Sequence, residues 1–172
     1  MNTSTIGTAG AAFEPLFSID IDIEVYASNW AYCDRLSSYA ARMVSHNRID
    51  SLLYSNLFSS ALNELLETVF RAHGTGGCFV CSVSRMANTD RIELTIPCTT
   101  KQAQFYFDAV RRLSQPDVAE HYHSALFAEG VLDPDIGLFE LAVDYDAFIR
   151  IEAPDENTVH LTVDLVLEEA QA

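Results

Sequence analysis

Asn63-Glu64-Leu65-Leu66-Glu67-Thr68-Val69-Phe70-Arg71-Ala72-His73 is the stretch whose reading decides the fold. It belongs to a segment, Asp50 to His73, in which Tyr54, Leu57, Phe58, Ala61, Leu62, Leu65, Val69 and Phe70 recur at helical spacing. Asp50 is placed to cap its start, and Gly74, Gly76 and Gly77 end it. Opposite the apolar stripe run Ser60, Asn63, Glu64, Glu67, Thr68 and Arg71. Any surface helix turns such a face to water, so the stripe alone argues for no chemistry.

Upstream, Phe17, Ile19, Ile21, Ile23 and Val25 alternate with Ser18, Asp20, Asp22 and Glu24, which predicts a strand. Its acidic ladder reads as a charged outer face that protects an edge strand from aggregation. Ser28 to Arg48 has helical spacing, with Trp30, Leu36, Tyr39, Ala40 and Met43 as the expected buried stripe. Downstream, Cys78–Arg85 and Arg91–Cys98 predict a hairpin around the turn-rich residues 86–90. Helices are expected over Lys101–Leu113, Asp117–Glu129 and Leu138–Tyr145, then two strands over Phe148–Glu152 and Val159–Leu167. Adjacent strand pairs imply a mixed, mainly antiparallel sheet with helices on one face. The expected fold is a single two-layer α/β (α+β) sandwich over residues 13–172, preceded by a loose tail over 1–12.

Composition bounds the partners. Almost half of the 172 residues are apolar, as in a globular chain, and 25 acidic residues against 10 basic ones give a formal charge of −15. That field repels phosphate backbones and anionic lipid, so neither nucleic acid nor a membrane is expected as partner. The sequence contains no apolar run of membrane-spanning length, and Met1–Ala12 does not read as a signal peptide. Four scattered cysteines suit a reduced, cytoplasmic protein better than a disulfide scaffold. Cys78 and Cys81 have Cys-x-x-Cys spacing, but three apart on a strand they diverge, and they read as small hydrophobes. His121 and His123, two apart on a helix, also diverge.

The order of elements around Asn63–His73 resembles the histidine-kinase-like (GHKL) ATPases, in which a helix carrying Glu-x-x-x-Asn leads into a sheet. Glu64 matches the glutamate that orients or activates the attacking group, and Thr68 stands where the magnesium-holding asparagine would be. The later Ile136-Gly137-Leu138-Phe139 occupies the place of the Gly-Leu-Gly-Leu phosphate turn. With Asp144-Tyr145, these segments are similar to bacterial GHKL-like regulators, related to the SiaB-type kinases that phosphorylate STAS-domain partners. The resemblance implies Glu64 as catalytic residue, Asn63 and Thr68 as magnesium anchor, and Asn63, Glu67, Thr68, Arg71, Gly137 and Leu138 as nucleotide-binding candidates.

The departures fall on the same site. Where nucleotide-binding members carry Asp-x-Gly-x-Gly, this chain has Pro97-Cys98-Thr99-Thr100-Lys101. The second glycine of the phosphate turn is Phe139. Asp133 and Asp135 crowd the start of the following helix, where a capping carboxylate would occupy the N–H groups that phosphate needs. The resulting expectation is an anti-sigma-like signalling regulator with a degenerate nucleotide site, acting by partner switching, with no cofactor. Its protein partner would be of STAS-domain or response-regulator type, and Glu64, Glu67 and Arg71 would face it. The enzyme alternative is an ATP- and magnesium-dependent serine/threonine kinase acting on a STAS-like protein. A plain dimerisation domain is the third class, with an uncovered Trp30–Met43 helix as its mark. A homodimer through that helix is compatible with either of the first two.

Overall fold

A computed structural model describes residues 12–73 and 76–168. Residues 1–11 of the expected tail over 1–12, and the helix-ending Gly74, lie outside them. The described chain runs β1 (Glu14–Asp22), α1 (Ile23–Ala27), α2 (Ala31–Val44), α3 (Ser51–Ala72), β2 (Cys78–Met86), β3 (Thr89–Pro97), α4 (Thr100–Leu113), α5 (Val118–Leu126), α6 (Ile136–Asp144), β4 (Phe148–Asp155) and β5 (Thr158–Val166). The strands form one open sheet in the order β1-β2-β3-β5-β4, antiparallel throughout. The fold class is α+β, with a sheet of the purer kind among those expected.

Strand register explains the two layers. Phe17, Val83, Ile92, Val163 and Ile149 lie opposite one another across all five strands, and so do Ile19, Cys81, Leu94, Leu161 and Ile151. Both rows join the core beneath the helices, where Phe58, Leu62, Leu65 and Val69 of α3 are fully enclosed. The intervening rows are polar, for example Ser18, Ser82, Glu93, Thr162 and Arg150. On this outer face Arg91 grips Asp164 with two bonds of 2.7 and 2.8 Å. His160 sits between Thr95 (3.0 Å) and Glu93 (3.3 Å). Period-two alternation thus makes one face core and the other a cross-strand polar lattice.

Two expected elements change character. Ile23–Ala27 is helix rather than strand, because the Asp22 carboxylate accepts the Val25 amide (2.9 Å) and caps a turn there. Val25 is therefore exposed instead of lining the core. On α2 the buried face is Cys33, Ser37, Ala40, Ala41 and Val44. Trp30, Tyr39 and Met43, expected inside, are exposed. Small side chains let α2 lie close against α3, and the bulky ones are turned outward.

α3 starts as expected: the Asp50 carboxylate accepts the Leu53 amide (2.9 Å). Asp50→Ala is expected to cost about 1 kcal/mol, read as a lower urea midpoint at unchanged slope. Beside the start of α3, Arg85 of β2 donates to Asp90 (2.6 Å), to the Val44 carbonyl (2.9 Å) and to the Tyr54 hydroxyl (2.8 Å). Arg48 lies 3.8 Å from Asp90, bonds Glu168 (3.0 Å) and sits over the Tyr54 ring. The Asp90 side chain has no exposure at all. No local pattern announces this ionic knot, whose members are spread from the α2–α3 turn to just past β5.

Candidate functional site

The motif residues gather where α6 crosses α3. Thr68 is completely buried, and its hydroxyl donates back to the Glu64 carbonyl (2.9 Å), a bond typical of a mid-helix threonine. Asn63 donates to Glu67 (2.8 Å), and Arg71 donates to the other Glu67 oxygen (3.0 Å) while lying 5.0 Å from the centre of the Trp30 ring. Glu67 and Arg71 therefore pair along the helix, with Trp30 as a lid over the guanidinium.

Gly137 is the pivot of the crossing. A Cβ at this position would lie 2.7 Å from the Glu64 carbonyl oxygen, 3.0 Å from the Thr68 hydroxyl and 3.1 Å from a Glu64 carboxylate oxygen. Its glycine is required because two helix backbones touch, a reason independent of phosphate. Leu138, next to it, is fully enclosed in the core. In this arrangement Thr68 has no accessible hydroxyl and Gly137 no space beside it, so the residues present do not fit a magnesium-bound triphosphate.

The start of α6 also differs from expectation. Asp135 is the residue before the helix, but its side chain caps nothing. It is buried and paired with Arg112 of α4, drawn there by a charge its own helix cannot supply. Asp133 is exposed and offers its backbone carbonyl to the Ile136 amide (3.1 Å). Phe139 is buried, with the Arg112 guanidinium over its ring. Cys78 is exposed and Cys81 buried, so the pair does diverge, and all four cysteines are free thiols. His121 and His123 both face solvent.

Glu64 is the chemically unusual member. Burial pushes its carboxyl up to about 7, with Glu140 and then Glu67 adding repulsion and Arg71 opposing them. Glu140 on α6 is raised too, by burial first and then by Asp144 and Glu67. Asp144 accepts the Tyr122 hydroxyl (2.9 Å). A carboxyl whose pKa rises on folding favours the folded state while it is protonated. Its contribution is complete below the ordinary value of 4.5 and is lost as pH climbs to about 7. Stability should fall over that window, and Glu64→Gln should flatten the fall. The check is the difference between the two proteins' urea midpoints at each pH.

Two features of the site are not marked by any sequence motif: Glu140, and the contact of Gly137 with Glu64 and Thr68. Glu140 was legible in principle, three residues after Gly137 in the same short helix. A cavity of about 740 Å³ lies elsewhere, beside the α2–α3 turn, lined in part by Met43, His46, Arg48, Arg85 and Met86. No helix among the described residues is long and apolar enough to cross a membrane. No model of a known protein family matches the chain, and neither the curated proteins nor the solved structures yield a significant match.

Proposed function

We propose that this chain is a bacterial cytoplasmic signalling regulator with a degenerate histidine-kinase-like ATPase fold, acting by binding a protein partner. The observation that carries this reading is the seating of Gly137 on the Glu64–Thr68 turn, which leaves no room where the resemblance would put phosphate. Three further departures agree with it: a threonine for the metal-holding asparagine, Pro97–Lys101 in place of an adenine reader, and Phe139 in place of a glycine. The partner is of STAS-domain or response-regulator type, met by the Glu64, Glu67 and Arg71 face and attracted by the chain's acidic field.

One observation favours the alternative, an ATP-dependent serine/threonine kinase acting on a STAS-like protein. A carboxyl near 7 is in the range of a general base, and Glu64 is the residue the resemblance would cast in that role. Titration calorimetry with ATP and magnesium separates the two readings. The expected result is no magnesium-dependent heat. Micromolar binding that requires magnesium and disappears in Glu64→Ala and Asn63→Ala would replace the regulator reading with the kinase.

A further inference from the structure

β1 ends the sheet, and among the described residues its outer edge hydrogen-bonds to no other strand. Beside that edge is a cavity of about 240 Å³ lined mostly by apolar atoms, among them those of Ile19, Ile21, Tyr32 and Leu36, with Asp20 and Asp22 also contributing to its wall. On the helix side the apolar surface continues along α2 through Tyr39 and Met43, which are 53% and 46% exposed. Tyr32, Leu36, Tyr39 and Met43 are spaced by four, three and four residues, so they form one stripe parallel to the strand. Phe17 of β1 meets Tyr39 edge-on at 6.1 Å between ring centres, joining strand and stripe into one surface.

We infer that this edge takes up an extended segment of another protein in which apolar and basic residues alternate, as an added sixth strand. A strand laid against β1 continues the apolar rows that begin at Phe17 and Ile19, and its inward side chains reach the cavity between β1 and α2. Its outward side chains fall beside Ser18, Asp20 and Asp22, all exposed. Glu14, Asp20, Asp22 and Glu24 form no ion pair among the described residues. Carboxylates left without counter-charge along a free edge call for lysine or arginine opposite them. On the helix side Arg35 lies over the Tyr32 ring and offers a basic residue no attraction there. A second copy of this chain fits less well, since it brings the same acidic strand and a charge of −15. This surface lies apart from the α3–α6 crossing, so the inference stands whether or not ATP binds there.

The test uses the full chain and two capped octapeptides, one alternating lysine with valine and one alternating glutamate with valine. Fluorescence anisotropy should show saturable binding of the lysine peptide and none of the glutamate peptide. Hydrogen exchange should show new protection confined to Glu14–Asp22 and the facing side of α2. Leu36→Asp places a charge in the cavity and makes the chain still more acidic. Strand addition predicts binding weakened by about tenfold or more, whereas general charge attraction predicts binding unchanged or stronger. Either of those last results, or protection appearing elsewhere, overturns the inference without requiring the variant to be as stable as the parent. A dimer in sedimentation velocity with β1 amides already protected would overturn it in favour of self-association.

Discussion

Replacing Asp90 by alanine is expected to destabilise the protein by about 3–5 kcal/mol, because it leaves two largely enclosed arginines without their carboxylate. Asp90 is fully enclosed, bonded by Arg85 at 2.6 Å and flanked by Arg48 at 3.8 Å. Arg85 cannot retreat to water without giving up the Val44 carbonyl and the Tyr54 hydroxyl, which it also binds. Burial lowers the Arg85 guanidinium to about 10 and raises the Asp90 carboxyl to about 7, a measure of how poorly the pocket tolerates charge on either partner. Equilibrium urea unfolding of Asp90→Ala gives the loss directly. The double variant Asp90→Leu with Arg85→Met should recover a large part of it, since removing both partners leaves fewer charges stranded. Recovery of nothing would mean that the arginine and the aspartate act separately.

Gly137→Ala is the second large effect, about 1–3 kcal/mol from overpacking. The nearest atom to the new methyl is the Glu64 backbone carbonyl oxygen at 2.7 Å, which cannot rotate away as a side chain would. The helices must separate by a few tenths of an ångström or more, and the Thr68 hydroxyl, 3.0 Å from the new atom, moves with them. The same substitution at Gly76, where no atom of the described residues beyond its chain neighbours lies within 4 Å but φ is +81°, serves as control for backbone strain without crowding. Thermal unfolding should show a lowered transition for both glycines. Only Gly137→Ala should also alter the pH dependence that Glu64 imparts, because only it disturbs the packing around that carboxyl.

How far the amino-acid order announces this architecture depends on the range of the force concerned. Strand pairing β2–β3 and β4–β5 and the span of α3 are local, written in period-two and period-3.6 patterns with turn residues between them, and they were legible. The facing of α2 was not, because its sequence carries two competing stripes. Trp30, Leu36, Tyr39, Ala40 and Met43 look more apolar than Cys33, Ser37, Ala40, Ala41 and Val44, yet the second set allows closer approach to α3. Ile23–Ala27 was misread for a local reason, since alternation does not reveal that Asp22 would cap a turn. At the α3–α6 crossing the residues were identified from their resemblance, but their contacts were not. Gly137 and Thr68 are far apart in sequence, and only packing shows that the glycine accommodates a helix.

The small-residue face of α2 has a consequence for how this protein can change over time. Because Cys33, Ser37, Ala40 and Ala41 form the buried face of α2, the larger residues Tyr39 and Met43 carry little of the burden of folding. Their replacement leaves the interior as it is, so variants at these positions accumulate at small thermodynamic cost. A lineage could exchange one outward-facing stripe for another, and with it one set of associations for another, while the sheet and the buried Asp90 with its arginines stay fixed.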